Sequence, residues 1–228
     1  MGGTDGPEAV VVTGAARGIG RAIAARYAAD GARVVVNDLD PAATQAAADE
    51  IGGYAVPGDA ASAAGVAALV DAAREHLGEV DTYVANAGIL QGLGLDAADD
   101  DWAHTIEVNV MAHVRAARLL VPGWVERGSG RFVVTASAAG LLTALGSATY
   151  SASKHAAVGF AEWLAATYAH RGVRVHAICP QGVTTQMLED SGELADLLVA
   201  DGARTPEEVA DALMAAVAED RFLVLPHP

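Results

Sequence analysis

The segment "EAVVVTGAARGIG" (residues 8–20) places a β-branched apolar run directly before a loop punctuated by glycines. Continuous Val/Ile-rich runs are typical of strands buried on both faces, as in parallel sheets. Gly14, Gly18 and Gly20 follow the run, and an Ala-rich stretch typical of a helix begins near residue 18. Such glycines let the backbone approach a pyrophosphate at the positive end of the helix. The segment predicts a strand, a phosphate-binding turn and a helix, although glycines also end strands for structural reasons alone.

The same alternation of short β-branched runs and longer Ala-rich stretches continues along the whole chain. The predicted strands lie near 8–13, 33–37, 54–57, 80–84, 131–136, 173–179 and 221–225. The predicted helices lie near 18–30, 41–51, 62–77, 99–126 and 150–171, with one or two more within 184–218. Alternating strands and helices favour a doubly wound α/β fold. We therefore predict a Rossmann-like parallel sheet of about seven strands with helices on both faces. No linker or repeat divides the chain, so one domain is expected over 1–228, with a short substrate-loop region at about 184–204.

Composition and charge exclude several classes of function. A net charge of -15 and a pI near 4.6 argue against binding to nucleic acid, whose phosphates would be repelled. Cys179 is the single cysteine, so neither an internal disulfide nor a thiolate metal cluster is expected, and the histidines show no metal-ligand spacing. The N-terminus lacks the basic start of a signal peptide, and the apolar runs are too short to span a membrane. A cytoplasmic protein without a metal is the expectation.

Two acidic features in the sequence each have two interpretations. Asp38 ends the second predicted strand, 18 residues beyond Gly20, where a carboxylate can bind the ribose hydroxyls of a dinucleotide. Alternatively, Asp38 caps the helix that begins near Pro41. The run Asp99-Asp100-Asp101 is typical of a helix start, and a metal site is the less favoured alternative.

The segment "YSASK" (150–154) contains the single lysine among the chain's 14 basic residues. In a helix, Tyr150 and Lys154 lie on one face, one turn apart. A nearby ammonium lowers the pKa of a phenol toward the range useful for general acid/base catalysis. The alternative is a lysine that lies by chance on an exposed helix face. Ser137, in "TASAAG", is not part of a GxSxG motif, so we interpret it as a donor to a substrate oxygen rather than as a nucleophile.

Seven segments in order are similar to the motifs of the short-chain dehydrogenase/reductase family. They are "TGAARGIG" (13–20), "GDAAS" (58–62), "ANAG" (85–88), "VNV" (108–110), "TASAAG" (135–140), "YSASK" (150–154) and "CPQGVTT" (179–185). The resemblance covers nearly the whole chain. It implies a hydride transfer between a nicotinamide cofactor and an alcohol or ketone.

The resemblance also implies roles for individual residues. Tyr150 would be the general acid/base, Lys154 its electrostatic partner, and Ser137 the ligand of the substrate oxygen. Asn109 would anchor a proton-relay water. The residues implied to bind the cofactor, some through the backbone, are Gly14, Arg17, Gly18, Ile19, Gly20, Asp38, Asp59, Ala60, Asn86, Ala87, Gly88, Tyr150, Lys154, Pro180, Val183 and Thr185.

One position departs from the family pattern, because Gln181 follows Pro180 where a glycine is usual. The loop detail there is therefore open. Residues expected from their position to border the substrate are mostly aliphatic, and several could instead pack in the core. They are Leu90, Gln91, Leu93, Leu95, Leu141, Leu142, Leu145, Gln181, Met187 and Leu188.

The sequence thus predicts an NAD-dependent oxidoreductase acting on a small, apolar secondary alcohol or ketone. NAD is preferred because Asp38 would repel the 2′-phosphate of NADP. A non-catalytic dinucleotide sensor or scaffold on the same fold is the alternative; an epimerase would normally have a longer C-terminal region. The resemblance and the small apolar faces near 99–126 and 150–171 further predict a homotetramer, or a homodimer.

Overall fold

The protein, described here by a computed structural model over residues 6–189 and 202–227, contains a seven-stranded sheet. Its strands, in chain order, are β1 (Ala9–Thr13), β2 (Arg33–Asn37), β3 (Tyr54–Ala55), β4 (Thr82–Ala85), β5 (Gly130–Thr135), β6 (Val173–Ile178) and β7 (Leu223–Val224). The spatial order is β3-β2-β1-β4-β5-β6-β7, and every pair of neighbours is parallel. The predicted Rossmann-like fold is confirmed.

The helices lie where the sequence predicts them, with one exception. They are α1 (Gly18–Ala29), α2 (Pro41–Ile51), α3 (Ala63–Leu77), α4 (Asp99–Ile106), α5 (Ala112–Arg127), α6 (Ala148–Tyr168), α7 (Gln186–Glu189) and α8 (Pro206–Ala218). The helix predicted near 99–126 is divided, because Glu107–Met111 forms a π-helical segment between α4 and α5. The predicted loop at about 184–204 lies partly outside the described residues.

Side chains cap the N-termini of most of the longer described helices. Asp40 caps α2, Ser62 caps α3, and Ser147 caps α6. Thr205 and Glu208 form a reciprocal capping box on α8. By contrast, Arg17 at the N-cap of α1 provides no side-chain hydrogen bond to the first turn. The first amides of α1 are therefore available to an anion.

Alternating residues of the strands divide the core into two layers. On one face of β1, Val11 packs with residues of α3, α5 and α6. On the opposite face, Val10 and Val12 pack with residues of α1, α2 and α8. Because both faces are covered, consecutive residues at the centre of these strands are apolar, as in the three valines of β1 and of β2.

The topology determines where a ligand can bind. β1 lies between β2 and β4, so the chain crosses to opposite sides of the sheet after β1 and after β4. At such a switch point, the loops at the carboxyl ends of the strands separate and leave a crevice. The loops that follow β1, β4, β5 and β6 contain many of the residues for which the sequence predicts a site, while Tyr150 and Lys154 lie in α6.

Candidate active site

The glycine loop after β1 has a geometry that side chains would prevent. Gly14 and Gly18 have φ values of 60° and 56°, in the left-handed region. A Cβ on Gly20 would lie 2.3 Å from the Gly14 carbonyl oxygen, and one on Gly18 would lie 3.3 Å from Thr185 Cγ2. The glycines therefore bring the β1 loop, the uncapped first turn of α1 and the segment after β6 into close contact. This arrangement fits the phosphates of a dinucleotide.

Asp38 joins the end of β2 to the glycine loop. Its Oδ2 accepts a hydrogen bond of 3.1 Å from the Ala16 amide, and its Oδ1 accepts one of 2.8 Å from the Leu39 amide. The helix cap that the sequence left as an alternative for Asp38 is provided by Asp40. Asp38 thus lies at the edge of the crevice, where a ribose hydroxyl could reach it.

Arg17 and Ile19 lie at the start of α1, and Asp59 and Ala60 lie in the turn before α3. Exposed Arg17 donates a hydrogen bond to the Gln186 side chain, and Ile19 packs against the core. Asp59 accepts hydrogen bonds from the backbone amides of residues 61 and 62, and its hydrogen bonding to Ser62 lowers the pKa of the carboxyl. These bonds fix the turn before α3.

The turn after β4 is hydrogen-bonded directly to the end of β1. Asn86 Nδ2 donates to the carbonyl oxygens of Thr13 (2.9 Å) and Gly14 (3.1 Å). The Ala87 amide donates to Thr13 Oγ1 at 3.0 Å. A Cβ on Gly88 would lie 3.2 Å from Asn109 Oδ1 and 3.3 Å from Lys154 Nζ, so Gly88 leaves these two polar atoms close to one point.

Lys154 is not a surface lysine. It is 3% exposed, and its Nζ donates a 2.9 Å hydrogen bond to the Thr135 carbonyl at the end of β5. Nζ also lies 5.5 Å from the centroid of the Tyr150 ring. Burial lowers the pKa of the ammonium from 10.5 to about 8. The alternative of an exposed lysine is excluded.

Tyr150 and Ser137 come together at the same end of the sheet. Burial raises the pKa of the Tyr150 phenol, and the nearby Ser137 hydroxyl partly opposes that shift. Ser137 Oγ also donates to the Pro180 carbonyl at 3.4 Å and accepts from the Ala139 amide at 3.1 Å. The prediction of a lowered phenol pKa is therefore not met in this structure, since burial outweighs the effect of Ser137. The raised pKa keeps Tyr150 protonated near neutrality.

Asn109 lies in the π-helical segment and is fully buried. Its Oδ1 accepts from the Ile89 amide and its Nδ2 donates to the Ile89 carbonyl, each at 2.9 Å. Nδ2 also donates to Ser153 Oγ at 3.0 Å. The side chain of Asn109 thus joins the turn after β4 to helix α6, which carries Tyr150 and Lys154.

His113, which sequence reasoning missed, lies four residues after Asn109 in α5. Neither ring nitrogen has a hydrogen-bond partner among the described residues, and the side chain is 1% exposed. Burial, with a smaller contribution from the Lys154 charge, lowers the pKa of the imidazole to about 3. His113 is consequently neutral at physiological pH. The signal in the sequence was a histidine at a position of α5 that faces the core, among apolar neighbours.

A small cavity of about 110 Å³ opens beside Ser137. It is lined by Ser137, Ala138, Ala139, Leu142, Thr143, Ala144 and Gln181. Of the predicted substrate residues, Leu142 and Gln181 line this cavity. Leu93, Leu141, Leu145 and Met187 are exposed apolar side chains, and Leu95 is 95% exposed. For these residues, as for Leu90, Gln91 and Leu188, a substrate contact stays a prediction.

The segment after β6 completes the crevice. Pro180 contacts Ser137 through its carbonyl, and Val183 is buried in the core layer that also contains residues of α1. Thr185 lies against Gly18 and donates from its hydroxyl to the Val183 carbonyl at 3.2 Å. The segment therefore runs from the Ser137 side of the site to the glycine loop.

Comparison with known proteins identifies the family of the chain. The family model for short chain dehydrogenases matches residues 8–195. The chain belongs to the short-chain dehydrogenase family. As a member of the short-chain dehydrogenases, it is 38% identical to 1-deoxy-11-beta-hydroxypentalenate dehydrogenase of Streptomyces exfoliatus, over 94% of this chain and 81% of the relative. It is 35% identical to 3beta-hydroxysteroid dehydrogenase 2 of Eggerthella lenta, over 79% of this chain and 72% of the relative.

Among solved structures, this short-chain dehydrogenase is similar to a short-chain dehydrogenase/reductase from Burkholderia phymatum in complex with NAD. The TM-score is 0.89 at 31% identity, covering 98% of this chain and 90% of the other. It is also similar to a 7 alpha-hydroxysteroid dehydrogenase complexed with NADH and 7-oxo glycochenodeoxycholic acid. Here the TM-score is 0.87 at 27% identity, covering 96% and 91% of the two chains.

Three further observations concern residues 6–189 and 202–227. This part of the chain contains no cluster of three or more His, Cys, Asp or Glu side chains suited to a metal. It also contains no helix that is long and apolar enough to cross a bilayer. Cys179 is buried, and burial raises the pKa of its thiol to about 11, which disfavours the nucleophilic thiolate.

Proposed function

We propose that this short-chain dehydrogenase transfers hydride between NAD(H) and an apolar secondary alcohol or ketone, with Tyr150 as the general acid/base. The observation that carries the proposal is the buried Lys154 side chain, whose Nζ lies 5.5 Å from the centroid of the Tyr150 ring, with Ser137 close enough to the phenol to lower its pKa. A binding module would have no use for a buried ammonium, which costs stability. The alternative of a non-catalytic sensor or scaffold is therefore disfavoured.

The crevice has the features needed to hold the cofactor. The uncapped first turn of α1 and the glycine loop would bind the pyrophosphate, and Asp38 would bind the adenosine ribose. Asp59 and Ala60 would contact the adenine, while the turn Asn86–Gly88 and Lys154 would lie along the nicotinamide ribose. Thr185, with the Pro180 and Val183 backbone, would hold the carboxamide side. When bound, the nicotinamide ring supplies or accepts the hydride.

The protein's own side chains would handle the proton and the reacting oxygen. Ser137 Oγ would donate a hydrogen bond to the substrate oxygen, where negative charge develops. For reduction, the raised pKa of Tyr150 supplies a protonated phenol that can donate to the ketone oxygen. For oxidation, the Lys154 ammonium would stabilise the phenolate that accepts the alcohol proton. Asn109 would anchor the proton relay behind Lys154.

An apolar substrate is supported by the aliphatic surface near Ser137 and by the relatives. Leu141, Leu142 and Leu145 expose their side chains between Ser137 and Tyr150 in the sequence. The names of two relatives, a hydroxypentalenate dehydrogenase and a hydroxysteroid dehydrogenase, describe cyclic alcohols. We therefore propose a compact cyclic alcohol or ketone as the substrate class.

The proposal includes assembly and location. α5 and α6 expose Leu119 (39%) and Trp163 (55%), which are large apolar side chains on helices that the resemblance implicates in pairing. We propose a cytoplasmic homotetramer, or a homodimer, with these helices at an interface between copies.

A substrate screen tests the proposed function. The protein is mixed with NAD or NADP and with cyclohexanol, 1-decalol and a 3-hydroxysteroid, and the absorbance of the reduced nicotinamide is followed. We expect turnover with at least one cyclic alcohol, and a higher kcat/KM with NAD. A protein that binds NAD but turns over no member of the panel, nor its ketone with NADH, would support the sensor instead.

A further inference from the structure

The backbone after β6 is in direct contact with the Ser137 hydroxyl. The Pro180 carbonyl accepts hydrogen bonds from the Ala138 amide at 2.7 Å and from Ser137 Oγ at 3.4 Å. Gln181, the next residue, lines the cavity that contains Ser137. The position of the Pro180–Gln181 backbone therefore influences both the Ser137 hydroxyl and the wall of the cavity.

His227, which follows β7, binds the backbone of the same loop through its side chain. Its Nδ1 lies 3.2 Å from the Gln181 amide nitrogen, and its Nε2 lies 3.1 Å from the Gly182 carbonyl oxygen. Because an amide N–H can only donate, Nδ1 must be the acceptor, and Nε2 must carry the proton that is donated to Gly182. A neutral imidazole with a defined tautomer therefore spans two consecutive residues of the loop.

A second set of hydrogen bonds fixes the loop beyond Gly182. The Arg204 amide donates to the Gly182 carbonyl at 2.9 Å, and the Thr184 amide donates to the Arg204 carbonyl at 2.9 Å. These bonds hold the part of the loop that leads to Val183 and Thr185. His227 extends the restraint back to Gln181, on the substrate side of the loop.

We infer that His227 is a positioning residue for the reaction, an inference that rests on the proposed function. Its imidazole holds the Gln181–Gly182 backbone so that Pro180 and Gln181 keep their place beside Ser137. Gln181 occupies the position where the family usually has glycine, so its side chain makes the placement of this backbone matter to the cavity. Loss of the imidazole should affect the substrate side, since Arg204 still holds the cofactor side. Small misplacements of groups in an active site lower rates strongly.

Three variants of the full-length chain test this inference. His227→Phe keeps an aromatic ring and removes both hydrogen bonds, whereas His227→Gln keeps one acceptor and one donor on a single planar group. Thr184→Val is the matched control, because it removes a 3.0 Å hydroxyl bond to the Arg204 carbonyl in the same loop, away from Gln181. For each variant, kcat and KM are measured with NAD and the panel alcohol on which the wild type has the highest kcat/KM. The NAD Kd is measured separately, and hydrogen exchange reports on peptides that cover residues 180–184.

We expect His227→Phe to lower kcat/KM by about tenfold, with an NAD Kd within about twofold of wild type and faster amide exchange at Gln181. His227→Gln should recover at least half of the lost kcat/KM, and Thr184→Val should behave as wild type. Unchanged kinetics in His227→Phe, or an equal loss in His227→Gln, would overturn the inference. If His227→Phe does not fold, His227→Ala takes its place, with the same expected loss and the same result that would overturn the inference. The exchange measurement needs no turnover, so an inactive wild type would refute the proposed function while the restraint on Gln181 is still tested.

Discussion

Lys154→Met should make the protein more stable while it abolishes turnover. Burial lowers the pKa of Lys154 from 10.5 to about 8, so keeping the ammonium charged in the folded state costs about 3 kcal/mol. The variant loses the hydrogen bond that Nζ donates to the Thr135 carbonyl, and this loss lowers the free energy of unfolding by about 1 kcal/mol. Methionine fills a similar volume. The net expectation at pH 7 is a gain of about 2 kcal/mol in the free energy of unfolding.

The pH dependence of this gain identifies its origin. The pKa of Lys154 is lower in the folded than in the unfolded state, so below about pH 8 both states are protonated and the cost is constant. As the pH rises from about 8 toward 10.5, the folded state loses its proton first, and the cost disappears. The stability difference between the variant and the wild type should therefore shrink over this range.

Urea unfolding of the cofactor-free proteins at several pH values measures this difference. A conservative Lys154→Arg variant is compared with Lys154→Met, because it keeps the positive charge. It should still lose most activity, since a forked guanidinium cannot replace the ammonium. A Lys154→Met variant that is less stable than wild type at pH 7, or a difference independent of pH, would refute the argument that Lys154 is kept at a cost to stability.

Three further predictions concern the cofactor, the core and the assembly. Asp38→Asn keeps an acceptor for the Ala16 amide but removes the charge, so the preference for NAD should fall from about a hundredfold in kcat/KM to less than about tenfold, while Asp40→Asn should leave it unchanged; equal preferences in wild type and Asp38→Asn would contradict this. The wild type should lose about 2 kcal/mol of unfolding free energy between pH 7 and about pH 5, because the pKa of His113 is about 3 in the folded state and higher in the unfolded state, so unfolding takes up a proton as the pH falls. His113→Leu should not show this loss. Parallel pH profiles of the two proteins in urea unfolding would be evidence against it. Light scattering at micromolar concentration should give a tetramer or a dimer, and a monomer would refute the proposed pairing through α5 and α6.

Much of the fold could be predicted because burial on both faces of the sheet leaves a strong pattern. Strands β1 and β2 each contain three consecutive valines, and the helices near them are Ala-rich. The π-helical segment Glu107–Met111 could not be predicted, because it depends on how Asn109 packs between Ile89 and Ser153. Such contacts join residues that are distant in sequence and leave no periodic signal.

The site residues likewise include some that the sequence identifies and some that it does not. Ser137, Tyr150 and Lys154 were identifiable because their residue types and spacing are specific, and the structure brings all three together. The partners that fix them were not identifiable. Lys154 binds the backbone carbonyl of Thr135, and His227 binds the backbone amide of Gln181. Every residue has such backbone groups, so the sequence does not mark these partners. The raised pKa of Tyr150 likewise depends on burial, which the local sequence does not determine.

The measurement that tests the central claim most directly compares Tyr150→Phe with Tyr168→Phe, since both residues lie in α6. Each variant is assayed for NAD binding and for turnover of the best panel alcohol. Tyr150→Phe should bind NAD with a Kd within about twofold of wild type and lose at least about a hundredfold in kcat, because one titrating oxygen is removed. Tyr168→Phe, outside the site, should retain both. Retention of more than a few percent of wild-type turnover by Tyr150→Phe would contradict the assignment of Tyr150 as the general acid/base.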